Sequence, residues 1–593
     1  MSAHDSTMPG NATATKPWLW QEAAGLLLLW LVIWLLVLPG MSSPLLLDDL
    51  DQLQHVQKFQ SWKEVLKQDC YGLFRPIKNI LYYAFHTNGQ PPLGAWHAVN
   101  LAVYFAATAG VYFVLRSLLS TRTWAFVGAC LWATSATQAT TALWMSCVQI
   151  SAAMFFTCLA LRLHDRSWSG QLARWLPATL VMIFLAMASY ETAVCVAPLC
   201  VLLDHYRGRR VFAKPALIRY VAIAAVTLAY LGIRFTQGAI YQATNPAFDP
   251  QLTSGQLFLS APWFMWKHFS MWLFPFGRIE FLSAYLWGKS APLWHLAVAW
   301  GFLIALIAAV FLTRKRLPMV SFGIAWFLIA SLPSSNLIPV RSGPIEDYYL
   351  VFPSAGLVIA LVSATAALVR FTLARRESTT RILAWSALAF LALWRAASGA
   401  YFFKQADLWT RPLDLYLSIV ETRPLQIKAM NLAARDLYTA GDRANSEKLA
   451  GEAQATAPWD PSAQLILGSI ACDEGRHDEA ITRLNDCITV VKDRNLQDYA
   501  NLRKGDAFSA KGDLVEARKA WLEILVRPAS LQHFDATIRL AKLYHREGNR
   551  EKAVQTLNKS KALHPARSAE IDAAIHAITA AHAPSQGNSP VAQ

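Results

Sequence analysis

Residues 23–53 read "AAGLLLLWLVIWLLVLPGMSSPLLLDDLDQL". An apolar run from Ala23 to about Leu38 is long enough to be an uncleaved membrane helix, and three carboxylates, Asp48, Asp49 and Asp51, follow it almost at once. Beyond them, Leu50, Leu53, Val56 and Phe59 recur every three residues. The stretch therefore predicts an amphipathic helix leaving a membrane. Acidic residues suit the first turn of such a helix, so Asp48 or Asp49 as an N-cap is one reading of the stretch. A chemical role for the carboxylates is the other.

The whole chain agrees with a membrane reading. Its 593 residues are 54% hydrophobic and only 16% charged, with 23 Trp, and Trp concentrates at bilayer interfaces. Eleven segments are predicted to cross: 22–39, 97–116, 123–141, 145–162, 174–188, 190–204, 217–234, 293–312, 318–333, 348–369 and 381–399. The loops after alternate segments, 116–122, 162–174, 204–219, 314–316 and 370–381, are rich in Lys and Arg. Positive loops stay on the cytoplasmic side. This puts the N-terminus inside and both the 41–95 loop and everything after about 400 outside. It also absorbs much of the +15 formal charge, so no nucleic-acid partner is expected. The stretch "WFMWKHFSMWLFPF" (263–276) is short for a crossing and reads as a helix lying in the interface. Eight scattered Cys form no CxxC pair, which argues against structural zinc.

From about 425 the chain becomes Ala-rich and charged. Gly441, Gly475, Gly512 and Gly548 recur at 34, 37 and 36 residues. Ala480, Ala517 and Ala553 follow the last three by five, and Pro458, Pro528 and Pro565 close three of the units. This is the period of tetratricopeptide (TPR) helix pairs, whose glycines make the turn and whose alanines let helices approach. The expected domains are a 1–21 tail, a 22–400 membrane domain with an outer loop at 41–95, a 401–424 linker, a 425–582 solenoid and a polar 583–593 tail. The fold class is all-α: a polytopic helix bundle followed by an α-solenoid.

Further polar residues gather at the outer face: Arg75 and Lys78 in "FRPIKNILYYAF", then His97 and Asn100 opening the second membrane helix. An acidic pair after the first membrane helix, an Arg-Pro in the loop and an H-x-x-N at the second helix resemble the membrane glycosyltransferases of the GT-C fold. The order is closest to the transmembrane TPR protein O-mannosyltransferases and their bacterial relatives. "ASYETAVCVAPL" (188–199) is similar to that family's S-K-E segment, keeping Glu191 but with Tyr190 where Lys is usual. "LPSSNLIPVRSGPIEDYYLVFPSAGL" (332–357) is similar to its P-x-S-N-L-x-P, acidic-Arg-Tyr and P-S-x-G, with Asp347, Tyr349, Pro353, Ser354 and Gly356 in place and Tyr348 where Arg is common. The usual Gly-Arg is missing around "WMSCVQI" (144–150). The likeness spans roughly 20–400.

The resemblance implies transfer of a sugar from an isoprenoid-phosphate donor to an acceptor protein or glycan presented by the TPR unit, outside the bilayer. Asp48 or Asp49 would be the base, with Asp49 the slightly preferred of the two, and Arg75, Lys78 and Arg341 the cations for the lipid phosphate. His97, Glu191 and Asp347 complete the expected substrate site, and a divalent cation is an open option. The implied location is a bacterial inner membrane with a periplasmic TPR unit, or an endoplasmic reticulum with a lumenal one. The residues alone equally allow His97 as an interfacial histidine, an Arg341–Asp347 surface bridge, and a non-catalytic TPR scaffold in the membrane.

Overall fold

The computed structural model describes residues 18–86, 93–119, 121–236, 253–276, 293–337, 345–374, 378–422, 426–491, 494–527, 530 and 532–580. Every regular element among them is helical. The chain forms two compact units, Met1–Thr422 and Arg423–Gln593.

Among the described residues of the first unit eight helices are long and apolar enough to cross a membrane: Trp20–Ser42, Leu93–Leu118, Met145–Arg166, Leu172–Ser189, Lys214–Thr236, Trp294–Thr313, Asp347–Ala374 and Thr379–Leu408. Three expected crossings take other forms. Segment 123–141 is helical only over Arg122–Ala133, then continues as the short turns Ala136–Gln138 and Ala139–Leu143. Its sequence, "TSATQATT", explains the break, because Ser and Thr side chains offer the backbone local alternatives to helix. Thr134 Oγ1 donates to Cys130 O at 2.8 Å, and Ser398 Oγ accepts the Ala136 N–H at 3.0 Å. The broken backbone is fully buried in protein, where such irregularity is tolerated at membrane depth. Segment 190–204 opens as the turn Glu191–Cys195 before an eleven-residue helix, Val196–Tyr206, and Pro318–Ser331 has fourteen residues.

The aromatic stretch 263–276 belongs to a longer helix than its composition suggests. The helix starts at Ser254 under a Thr253–Gln256 capping box and runs to Leu273, so its 20 residues reach about 30 Å. Its rings pack on the following helix, with Trp266 and Phe269 both against Phe302. Helix Pro318–Ser331 meets Val351–Ala374 through two glycines. A Cβ on Gly323 would lie 2.4 Å from Gly356 O, and one on Gly356 2.5 Å from Gly323 O, so the backbones touch directly.

The expected 401–424 linker is helical. Ser378–Leu408 runs through its first third, and Pro412–Thr422 buries Leu415, Tyr416 and Ile419 on one face, the i, i+1, i+4 pattern that docks a helix. At the other terminus Glu22 lies inside the first helix rather than at its edge, and it pairs with Arg116 at 3.4 Å and Arg122 at 3.5 Å.

Contacts collect the basic loops at one end of this unit. Arg207 reaches Ser117 O and Asp165, each at 2.9 Å, and Tyr206 meets Ser321. Glu191 stands at the far end of Leu172–Ser189 from the 162–174 loop, about 27 Å along its axis.

The second unit consists of helix pairs: Ile427–Thr439 with Arg443–Thr456, Pro461–Asp473 with His477–Val490, Arg494–Lys511 with Leu514–Leu525, and His533–Arg546 with Arg550–Leu563, followed by Ser568–Ala580. All four periodic glycines turn the chain at positive φ, between 78° and 92°, where a side chain would be strained. Polar ties repeat between successive units: Tyr438 and Arg503 hold Asp473, and Arg503 and Arg539 hold Asp506. Pro528 and the 583–593 tail lie outside the described residues, as do residues 1–17.

Candidate functional site

The 41–95 loop folds on itself. Helix Asp48–Gln57 and helix Pro76–Ala84 are joined by Gln52 donating to Asn79 at 2.8 Å, and Asn79 donates in turn to Lys67 O at 2.8 Å. Leu53, Val56, Tyr82, Trp96 and Met145 form the apolar core beneath. The chain enters the first helix through Leu47, whose φ of 53° and ψ of −120° place a branched side chain in a costly region. Strain of this kind persists where the surroundings over-determine it.

Neither Asp48 nor Asp49 caps the helix, since the cap position is Leu47 and no side chain bonds there. Asp49 folds backwards instead. Its Oδ2 accepts the Leu46 N–H at 3.0 Å and its Oδ1 accepts the Tyr82 hydroxyl at 2.8 Å, and that hydroxyl lies 3.1 Å from Ser146 Oγ. At 1% exposure, burial pushes the Asp49 carboxyl up to about 6, against the bonds from Leu46, Ser146 and Tyr82 that pull it down. Asp48 is half-buried. Its Oδ1 lies 2.9 Å from the Tyr71 hydroxyl, which is also 2.9 Å from Asp51 Oδ2.

Lys78 stands between the same two tyrosines. It is fully buried, its Nζ has no hydrogen-bond partner among the described residues, and it lies 5.7 Å and 5.9 Å from the ring centroids of Tyr71 and Tyr82. An ammonium with three unmet donors inside protein is expensive. Three carboxylates, Asp48, Asp49 and Asp51, and one bare cation thus share a pair of tyrosines.

Arg75 is committed elsewhere. It binds Glu191 through two parallel bonds, Nε to Oε2 at 2.9 Å and Nη2 to Oε1 at 2.7 Å. Asp69 lies 3.6 Å from its Nη1, and its guanidinium stacks 4.9 Å over Tyr190. Arg234 approaches the same Glu191 at 3.6 Å. A two-bond Arg–carboxylate fork of this geometry fixes the loop onto the bundle.

The remaining predicted residues are separate. His97 Nε2 bonds Ser43 O at 2.9 Å, and Asn100 donates to Ala142 O at 2.7 Å; both secure the backbone around the site. Asp347 is buried and accepts Thr140 Oγ1 at 2.6 Å beside the broken segment. Trp144 connects that region to the acidic turn, donating to Leu46 O at 3.2 Å and packing 6.1 Å from Tyr348. Arg341 lies outside the described residues. Among the described residues no group of three or more His, Cys, Asp or Glu is placed to hold a metal.

Sequence reasoning did not single out Tyr71, Tyr82, Asp69, Ser146, Arg234 or Arg395. Tyr82 had a signal, since it lies four residues after Lys78 on an amphipathic helix and so shares its face. Arg395 had a clearer one: a charge inside an apolar membrane segment. Its Nε donates to Thr134 Oγ1 at 3.0 Å, while Nη1 and Nη2 are buried without partners among the described residues.

Among the described residues the molecule is thus all-helical in its regular elements and falls into two units, one bearing eight membrane-length apolar helices and the other an array of helix pairs. No family model and no curated protein matches the chain. Among solved structures it is similar to the crystal structure of yeast Tom70, at 12% identity over 80% of this chain and 95% of that one, with a TM-score of 0.25. A likeness at that score carries no argument about fold or function.

Proposed function

We propose that the chain is a membrane glycosyltransferase of the GT-C kind, moving a sugar from a polyprenyl-phosphate donor to an acceptor, by preference a protein, at the membrane face bearing the 41–95 loop. The observation that carries this reading is the gathering of Asp48, Asp49 and the bare Lys78 ammonium around Tyr71 and Tyr82. Asp48 is the better-placed base. Both oxygens of Asp49 are already engaged, whereas Asp48 is half-exposed with one oxygen held.

In the proposed step an acceptor hydroxyl gives its proton to Asp48 while its oxygen bonds to C1 of the sugar. The bond from C1 to the phosphate oxygen breaks with inversion, and the leaving group is the polyprenyl phosphate. Its charge needs a cation. Arg75 is spent on Glu191, so Lys78, whose donors are unmet among the described residues, is the phosphate contact we favour. The finer features of the reading are eleven crossings, a TPR unit on the same side as the site that presents the acceptor, and a bacterial inner membrane with a periplasmic TPR unit.

Tyr190 and Tyr348 favour the rival reading, a non-catalytic membrane scaffold whose TPR unit recruits partners. The resemblance expects cations at both positions, and here Tyr190 stacks on Arg75 while Tyr348 packs beside Trp144. The test is transfer of label from a radiolabelled polyprenyl-phosphate sugar by the purified chain. Asp48→Asn abolishes it and leaves folding intact. Full activity in Asp48→Asn, Asp49→Asn and the double variant would refute the base.

A further inference from the structure

The 41–95 loop carries a short turn that sugar transfer does not use. In Trp62–Leu66 the chain buries Val65 but leaves Trp62 58% and Leu66 59% exposed. One exposed apolar side chain needs no explanation. Here two large ones stand in the same turn, and the turn is firmly held. Asn79 Nδ2 donates to Val65 O at 3.1 Å and to Lys67 O at 2.8 Å, and the Trp62 ring meets Tyr83 edge-on at 4.8 Å. Lys58, Lys63 and Lys67 are exposed around it, and the one acid of the stretch, Glu64, is taken by Lys67 at 2.9 Å.

The helix to which the turn is fastened, Pro76–Ala84, lies across the ends of membrane-length helices. At one end, Arg75 is forked to Glu191, which stands one residue beyond Leu172–Ser189, and Arg234, near the close of Lys214–Thr236, approaches the same carboxylate. At its other end Tyr82 packs 4.6 Å from Trp96, in the first turn of Leu93–Leu118. A nine-residue helix that reaches from the ends of two spans to the start of a third runs along a membrane surface and not through it. The turn Trp62–Leu66, packed on that helix, is level with the surface.

We propose that Trp62–Leu66 is an interfacial anchor that rests the 41–95 loop on the bilayer, with the Trp62 indole and the Leu66 side chain in the lipid headgroup layer and Lys58 and Lys63 at lipid phosphates. Trp favours that zone because its ring is apolar and its N–H polar, and a Lys stem lies along apolar surface while its ammonium reaches the phosphates. Charge selects the occupant: residues 58–67 hold three Lys and one Glu, a balance that suits an anionic lipid surface. Helices Asp48–Gln57 and Pro76–Ala84 are joined through this turn, so the anchor fixes the height of Asp48, Asp49 and Lys78 above the lipid. The anchor rests on the membrane-spanning reading and not on sugar transfer, so either can fail alone.

The test places the photoreactive p-benzoylphenylalanine at position 62 of the full chain, reconstituted in nanodiscs of mixed phosphatidylcholine and phosphatidylglycerol, and identifies the adducts by mass spectrometry after irradiation. Position 62 yields lipid adducts about tenfold or more above the same probe at position 526, where Val526 is 80% exposed in the second unit. Should the probe at 62 prevent folding, position 66 carries the same expectation. Lys58→Gln combined with Lys63→Gln lowers the ratio of phosphatidylglycerol to phosphatidylcholine adducts about fivefold or more, and high salt moves it the same way. None of these readouts uses transfer. Adducts to the chain itself or to another protein in place of lipid, equal lipid yields at positions 62 and 526, or a lipid ratio indifferent to the two lysines would each overturn the anchor.

Discussion

Asp49→Asn tests the buried network through stability rather than turnover. The carboxyl is pushed up from its ordinary 3.8 to about 6, chiefly by burial, so the folded protein binds its proton more tightly than the unfolded chain does. A raised acid destabilises the folded state when ionised. That cost is absent below about pH 4, grows as pH rises towards 6, and is complete above it, where a carboxyl raised this far costs about 3 kcal/mol. Asn carries no charge to desolvate, and its amide can keep the network: Oδ1 accepts the Leu46 N–H, Nδ2 donates to the Tyr82 oxygen, and the Tyr82 hydroxyl turns to Ser146. At pH 7.5 the variant is therefore about 3 kcal/mol more stable, and near pH 4 the gain disappears. Unfolding of both full-length proteins in detergent, driven by SDS and followed by Trp fluorescence at pH 4.5, 6 and 7.5, reads the difference. A variant less stable at pH 7.5, or a difference that does not change with pH, would refute the argument.

Lys78→Met removes a bare buried ammonium in favour of a thioether of similar length. It leaves stability unchanged or raised by about 1–3 kcal/mol, while transfer in the labelled-sugar assay falls by about a hundredfold or more if Lys78 meets the donor phosphate. Glu191→Gln leaves Arg75 and Arg234 facing a neutral amide, and a loss of about 3 kcal/mol in the same SDS titration is expected; Glu191→Asp, which keeps the charge, recovers part of it. Gly356→Ala inserts a methyl where Gly323 O is 2.5 Å away, so it costs about 1–3 kcal/mol by forcing the two helices apart. The same change at Gly399, with nothing within 4 Å, is the control.

How far the sequence reveals this fold depends on the range over which each signal acts. Apolar length marks the long spans, and the glycine period marks the turns of the second unit, because both are local. The break at 134–141 escapes a hydropathy reading, since "TSATQATT" lies between apolar residues and its irregularity is sustained by Ser398, 262 positions from the N–H it accepts. The 401–424 stretch reads as a linker because it is mixed in character, and only the docked face of Leu415, Tyr416 and Ile419 makes it helix. Helix Ser254–Leu273 is underestimated because its first nine residues are less apolar than the aromatic part that follows.

The candidate site divides in the same way. Asp48, Asp49, Arg75, Lys78 and Glu191 could be named from residue type and order, but their roles depend on pairings that sequence order does not carry. Arg75 looks like a phosphate cation until Glu191, 116 residues away, takes its Nε and Nη2 edge. Lys78 looks equivalent to Arg75, three positions along the same segment, yet among the described residues it has no acceptor. The distinction is chemical as well as positional. A planar guanidinium can satisfy a carboxylate in two bonds and become part of the scaffold, whereas an ammonium between two tyrosine rings keeps its donors available. If the chain does bind a lipid phosphate at this end, the unpaired charge is where the cost of burial is recovered, and Lys78 rather than Arg75 is the residue on which donor affinity should depend.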